Sequence, residues 1–517
     1  MADSFKDTLA AGYGFTDPAV TLGSALEGGT VHQEPKVRIP LATLNRHGLI
    51  AGATGTGKTK TLQLLTEQLS AQGIPVFAAD VKGDLSGLAV PGTADDRINT
   101  RASDVGWSWK PAGAPVEFVS LTGALGVQLR ATVSSFGPLL LGKVLSLNDT
   151  QVSVLTMVFK YADDQQLPLL DLADLRAVLQ WLSSDEGKPA LAQYGGMSSA
   201  TVGVLLRKMI ELESQGAEKF FGEPEFDVRD MHQTTSDGRG VVTSLELADV
   251  QDKPMLWSTF MMWLLAELYQ NLPEAGDLPK PKLVFFLDEA HLLFDEAPKA
   301  FRDQIEQVIR LVRSKGIGVY MVTQTPKDLP TDVLAQLGNR IQHALRAHTP
   351  DDDKALKATV RTFPKTPFYD LEETLTSLGI GEAVVTVLNT RGQPTPVVAT
   401  RLIPPASRMG PLTPEELQAD FRQSPLLAEY GQAVDRESAR EMLASRMART
   451  EAPAVTAPAP AAPRKSTAGT VAKVAGATVV GALSTTIGRT IGREVVRGLF
   501  GLLGAKPPRS TTRRSRW

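Results

Sequence analysis

Between residues 47 and 402, short apolar runs alternate with segments whose apolar positions recur every three to four residues. The runs at 47–51, 75–80, 116–121, 240–245, 283–287, 317–323 and 341–345 are almost continuously apolar, the pattern of strands buried on both faces of a parallel sheet. Helical periodicity follows the first run over about 60–72 and returns at Asp149–Tyr161, Leu172–Leu182 and Thr201–Leu212. Strands that alternate with helices predict an α/β fold, a mainly parallel sheet covered on both sides. Residues 126–235 carry the helical period alone and read as a large helical insertion. Two last β runs, Ala383–Leu388 and Pro396–Leu402, flank Asn389-Thr390-Arg391-Gly392, which reads as a hairpin turn.

A change of composition marks the end of this body. Glu451–Pro463, EAPAVTAPAPAAP, cannot pack a core and reads as an extended linker. From Arg464 onward there are eleven Lys+Arg and one acid. The net charge of −3 over 517 residues therefore divides into +10 on the tail and −13 on residues 1–463. The division expected is 1–45, a short N-terminal segment; 46–125 and 236–410, the first and second parts of the α/β core; 126–235, the helical insertion; 411–450, C-terminal helices; 451–468, the linker; and 469–517, a basic amphipathic tail. The absence of cysteine excludes a disulfide scaffold, a thiol nucleophile and Cys-held zinc or iron–sulfur sites. The N-terminus lacks the pattern of a secretory signal, and no apolar stretch reaches membrane-spanning length, so a cytoplasmic location is expected.

Three motifs carry chemistry. Gly52-Ala53-Thr54-Gly55-Thr56-Gly57-Lys58-Thr59 follows a strand and opens a helix, the context in which this spacing cradles phosphates. Backbone N–H groups and the helix N-terminus face the anion. Lys58 would span the β- and γ-phosphates and Thr59 would ligate Mg²⁺; with Lys60 these residues make the expected nucleotide site. The second motif is the apolar run 283–287 ending in Asp288-Glu289. Asp288 is expected to hold the metal as a Walker-B acid, and Glu289 to act as general base on water. His291 next to them either couples hydrolysis to motion or simply packs. The third is the run 317–323 ending at Gln324, which would sense the γ-phosphate or orient water; read alone, a Thr-Gln strand end is an ordinary cap. Arg313, Arg340 and Arg346 are each suited to reach a neighbouring subunit's γ-phosphate, and Arg313 is preferred. Asp80 is a further neighbour of the metal, and Lys82 reads as part of a solvated loop.

The phosphate loop, helical insertion, acid pair and TQTP strand end, in that order, resemble the HerA/FtsK branch of the P-loop motor ATPases. HGLIAGATGTGKTKTLQLL, AADVKGDLSGL, DEAHLLFDEAP, TQTPKDLPTDVLAQLGNRIQHALRAHTPDD, GEAVVTVLNTRGQPTPV and PPASRMGPL are similar to the bacterial HerA-like helicase C-terminal family, over roughly residues 15–410. The resemblance implies a RecA-like P-loop NTPase core, ATP and Mg²⁺ bound between subunits of a homo-hexamer, and translocation on or unwinding of double-stranded DNA. HerA proper also works with a nuclease partner and carries an N-terminal β-barrel. About 45 residues precede the phosphate loop here, too few for that barrel in full, so the nuclease partner is left open.

Two other functions stay in play. One is an ATPase of conjugation or secretion type acting at the membrane. The other is a nucleotide-controlled scaffold that does not translocate. In the tail, Arg489, Arg493 and Arg497 form one helical stripe, suited to an anionic membrane surface, to self-association or to nucleic-acid phosphates. Lys354, Lys357, Arg361 and Lys365 form a second basic stripe, expected to face DNA in a ring pore.

Overall fold

The computed structural model describes residues 4–276, 278–294 and 299–451. The basic tail, the linker from residue 452 onward and positions 295–298 after the acid pair lie outside the described residues. The described residues build one twelve-stranded sheet. Its strands are β1 (Ala19–Glu27), β2 (Thr30–Pro40), β3 (Gly48–Ala51), β4 (Val76–Asp80), β5 (Val116–Ser120), β6 (Val127–Gln128), β7 (Val242–Glu246), β8 (Leu283–Leu287), β9 (Ile317–Thr323), β10 (Asn339–His343), β11 (Glu382–Thr386) and β12 (Val398–Leu402). They lie in the order β2-β1-β12-β11-β10-β3-β9-β8-β4-β7-β5-β6.

Every neighbouring pair from β10 to β6 is parallel. The four strands on the other flank are antiparallel. This is a RecA-like core. The loop-bearing strand β3 sits centrally, and one strand, β9, separates it from the acid-bearing strand β8. Period-two alternation divides the side chains between two cores. Leu283, Phe285 and Leu287 join the helical layer on one face. Val284 and Phe286 join Leu62, Leu65 and Leu69 of the phosphate-loop helix on the other.

Helices Val133–Val144, Asp149–Asp164, Leu172–Ser183 and Ser199–Ser214 lie between β6 and β7. The last three hold their expected positions because each has an apolar stripe at helical spacing, Val133–Val144 was not singled out, and side-chain caps from Thr132, Asn148, Asp171 and Ser198 fix all four starts. Helix Pro254–Asn271 runs through the middle of this layer and is apolar nearly all round. Its Trp263 is fully buried, donates to Ser135 Oγ at 3.2 Å and packs edge-on against Phe220. Trp263→Ala is expected to cost about 3–5 kcal/mol through the cavity it leaves. A urea-unfolding midpoint within experimental error of the unsubstituted protein would contradict this packing.

The first strands were not expected. Gly28 and Gly29 take φ of 54° and 84° and join β1 to β2, with Glu27 paired to Thr30. Both φ values lie in the left-handed region, as a two-residue hairpin loop requires. The Gly-Gly pair was the visible signal. It was masked because β2 is an exposed edge strand, polar at His32-Gln33-Glu34 and broken by Pro35. β10 also starts two residues earlier than the apolar run suggested. Ala344 and Leu345 leave the sheet, where Ala344 O accepts Ala53 N at 2.8 Å and Leu345 N donates to Leu375 O at 2.9 Å.

Candidate functional site

The phosphate loop bridges β3 to helix Lys58–Ala71 at the carboxyl edge of the parallel sheet. Two backbone bonds clamp its entry: Gly52 N to Gln324 O at 3.1 Å, and Ala53 N to Ala344 O at 2.8 Å. The loop is thus held between β9 and β10. At Gly52 a Cβ would stand 2.5 Å from the Cβ of His343, and Gly57 caps the helix at φ 113°. Neither position accepts a side chain without rebuilding the loop. Thr54 and Gly55 are exposed and form the open rim. The Lys58 Nζ is folded inward, donating to Gly52 O at 2.7 Å and Ala53 O at 3.2 Å. Burial lowers its pKa, while the nearby Glu289 carboxylate opposes that shift. Thr59 follows, half-buried, at the first turn.

Strand order brings the acid pair to the same edge. Leu287 pairs with Met321 on β9 and with Ala79 on β4, so Asp288 lies beside Asp80. Asp288 is 3% exposed and its Oδ2 has no partner. Oxygens of Asp80, Asp84 and Asp288 lie within 4.8 Å of one another. Burial, with Glu289 and Asp80 adding repulsion, pushes Asp288 up to about 7. Burial likewise raises Asp80 to about 6 and Glu246, beside it, to about 8. A buried carboxylate with an unpaired oxygen, surrounded by further acids, fits a hard divalent cation bound through oxygen.

Asp80 spends its own oxygens locally. It accepts Lys82 N at 3.1 Å, Gly83 N at 2.8 Å and Leu85 N at 2.7 Å. These bonds shape the loop after β4, and Asp80 stays in the carboxylate cluster beside Asp288, where it was expected to neighbour the metal. That loop carries Lys82, which is exposed as expected but is not free of the site. The Lys82 ammonium forms an ion pair with the Glu289 Oε1. Glu289 is almost wholly buried, and its charge bridges two halves of the site. Burial lowers the Lys82 pKa, but the hydrogen bond and charge of Glu289 prevail and raise it. Glu289 takes φ 45° and ψ 46°, a left-handed backbone rare for a non-glycine residue and costing about 1–3 kcal/mol. His291 Nδ1 approaches the other Glu289 oxygen at 3.3 Å.

Gln324 stands next to the phosphate loop with its side chain exposed. Its neighbours explain the TQTP pattern. Thr325 N and Oγ1 donate to Asp328 at 2.8 and 3.0 Å, and Thr323 Oγ1 donates to it at 3.1 Å. The threonines hold the turn that sets Gln324 beside the phosphate loop. Arg313 precedes β9 and lies at the opposite edge of the sheet. Seven strand residues place it roughly 20 Å from the phosphate loop of its own chain. Arg340 donates to the carbonyls of Leu337 and Thr362, whereas Arg346 is exposed at the carboxyl edge.

His343, not singled out from the sequence, lies under the loop. Its Nε2 is 2.9 Å from Thr61 Oγ1, and burial lowers its pKa to about 4, so the ring is neutral. The basic stripe is partly cancelled: Lys354 pairs with Asp351 at 3.0 Å and Lys357 with Asp353 at 2.7 Å. Helix Pro350–Val360 opens with three aspartates that the stripe reading had left out.

Among curated proteins, the chain is 21% identical over 361 residues to the DNA double-strand break repair helicase HerA of Saccharolobus solfataricus, covering 69% of this chain and 65% of that protein. The chain thus spans about two thirds of the length of that relative. Among solved structures, plasmid coupling protein TrwB with a non-hydrolysable ATP analogue is 15% identical with a TM-score of 0.49, over 77% of this chain and 98% of that one. VirB4 of Thermoanaerobacter pseudethanolicus is 14% identical with a TM-score of 0.47, over 76% of this chain and 97% of that one. Among the described residues, no helix is long and apolar enough to cross a membrane. The model of the helicase HerA-like C-terminal family matches residues 27–508, nearly the whole chain, and the protein belongs to that family.

Proposed function

We propose that this protein is an ATP hydrolase acting as a ring motor on double-stranded DNA, in the cytoplasm. The observation that carries the reading is the meeting of Lys58, Asp288, Glu289 and Gln324 at one carboxyl edge, with a buried Asp288 oxygen left unpartnered. The backbone from Gly52 to Thr59 and the helix N-terminus hold the phosphates. Lys58 leaves its loop carbonyls to reach the β- and γ-oxygens. Thr59 and Asp288 would hold Mg²⁺, which when bound neutralises charge developing on the phosphate oxygens. Glu289 takes the proton of the attacking water, and Gln324 orients that water or reads the γ-phosphate. Arg313 serves a neighbour's site in a homo-hexamer.

Steady-state ATPase with and without linear double-stranded DNA tests the track. Stimulation of several-fold is expected, absent in Lys58→Ala. Robust turnover that ignores DNA would remove double-stranded DNA from the proposal. The partial neutralisation of Lys354 and Lys357 leaves Arg361, Lys365 and the tail as the basic contacts to test first.

Lys82 gives a further prediction for the same enzyme. Its ammonium orients the Glu289 carboxylate, so Lys82→Met is expected to lower maximal turnover roughly tenfold and shift ATP affinity less than about twofold. Equal kcat in the two proteins, by coupled-enzyme assay, would reduce the pair to a structural contact.

A second reading, contact with an anionic membrane, is favoured by the +10 charge on residues 464–517. Co-sedimentation with anionic vesicles that disappears on deleting 464–517 would support it.

A further inference from the structure

We propose that His343 is a positioning residue of the phosphate loop, an inference that rests on the ATPase reading. Through the Thr61 hydroxyl and the Gly57 carbonyl it sets the direction of the Lys58 N–H. A peptide group is planar and trans, so its C=O and its N–H point in opposite directions. Gly57 caps the phosphate-loop helix, and its carbonyl points along the axis, accepting Thr61 N at 3.0 Å. The N–H of the same peptide group belongs to Lys58. It therefore points out of the helix N-terminus, where an anion binds. Whatever holds Gly57 O also aims Lys58 N. Gly57 itself gives little restraint, because at φ 113° it has no Cβ to limit rotation.

The Thr61 hydroxyl is a second donor to that carbonyl, at 3.2 Å. A hydroxyl has one proton to give. With that proton on Gly57 O, the 2.9 Å contact between Thr61 Oγ1 and His343 Nε2 is a hydrogen bond only if Nε2 donates. The buried ring is neutral, so it carries a single N–H, and this contact places it on Nε2. Among the described residues Nδ1 has no hydrogen-bond partner, and nothing on that side competes for the proton. The bonds then run in one direction, from His343 Nε2 to Thr61 Oγ1 and from Thr61 Oγ1 to Gly57 O.

The ring that starts this chain of bonds is rigidly mounted. His343 is fully buried at the end of β10, between β3 and β11, where Gln342 pairs with Ala51 and His343 with Ala383. Its Cε1 lies 3.5 Å from the point where a Gly57 Cβ would stand, in contact range of the loop's last glycine. The residue after it clamps the loop entry, since Ala344 O accepts Ala53 N at 2.8 Å. The lead-in to β11 adds a third tie, Gly381 N to Thr56 O at 3.0 Å. The end of β10 thus grips the loop at Ala53 through a carbonyl and at Gly57 through the imidazole.

The test uses the full chain and measures equilibrium binding of ADP and of inorganic tripolyphosphate by calorimetry, beside a thermal melt of each variant. Thr61→Val keeps the shape of the side chain and removes the hydroxyl. It is expected to weaken both ligands about tenfold, because the loss falls on the phosphate cradle they share. Thr61→Ser restores the hydroxyl and should bind both within about twofold of the unsubstituted protein. His343→Leu is expected to match Thr61→Val, and His343→Gln, whose amide can put an N–H where Nε2 stands, to recover most of the loss. Both side chains act through one carbonyl, so Thr61→Val combined with His343→Leu should stay at about tenfold rather than reach about a hundredfold. Unchanged affinity in Thr61→Val, a loss for ADP alone, additive losses, or losses that Thr61→Ser and His343→Gln fail to recover would each overturn the positioning role. In those outcomes the unsubstituted protein still binds both ligands and the ATPase reading stands. Binding of neither ligand by the unsubstituted protein would remove that reading and the role of His343 with it.

Discussion

Lys58→Ala is expected to abolish ATP turnover, lowering kcat/KM by about a thousandfold or more, with little change in thermal stability. The two halves of this prediction come from different parts of the site. In the free protein the ammonium neutralises only two loop carbonyls, Gly52 O and Ala53 O. Ala53 is half-buried beside the open rim of Thr54 and Gly55, and water entering the space left by the side chain replaces the lost donor at small cost. In the loaded site the same group would face the phosphate oxygens, where charge develops in the transition state and no water can substitute. Coupled-assay kinetics beside a thermal melt separates the two effects. A variant that melts early and loses activity in proportion would mean that Lys58 is a loop strut rather than a phosphate ligand.

Glu289→Gln is expected to lower kcat about 10²–10⁴-fold while ATP still binds. The amide keeps the volume and the left-handed turn but cannot accept a proton. It also removes the charge that Lys82 and His291 face. A modest loss of stability is therefore expected alongside the kinetic defect, because the Lys82 ammonium loses its partner. The expected signature is a nucleotide-loaded, slowly turning over protein, seen as ATP retained through gel filtration. Turnover above about a tenth of the unsubstituted rate would move the general base elsewhere, with Asp84, the half-buried member of the carboxylate cluster, the next candidate to substitute.

The two variants probe groups that were legible to different degrees. The phosphate loop was readable in full because its geometry is local. Gly52, Gly55 and Gly57 take left-handed or otherwise glycine-favouring φ, and the helix begins at the next residue. Of the strands from β3 to β10, all but the two-residue β6 were readable, because burial on both faces demands continuous apolar runs; β6 fell inside the segment read as purely helical. Asp288 and Glu289 were readable as the end of such a run. The basic stripe misled because it was counted without the aspartates one turn away, which lie within reach on the same helix.

What the sequence determined by itself was therefore most of the parallel core's strands and helices and the phosphate-binding turn, since hydrogen bonding and backbone conformation there depend on residues within a few positions. The tertiary structure alone decided who meets whom. Lys82 reaches Glu289 across 207 residues. His343 supports Thr61 across 282. Gln324 borders Gly52 because β9 is inserted between β3 and β8. Strand order is set by how whole apolar faces pack and by where helices cross the sheet, and periodicity along the chain carries no record of it.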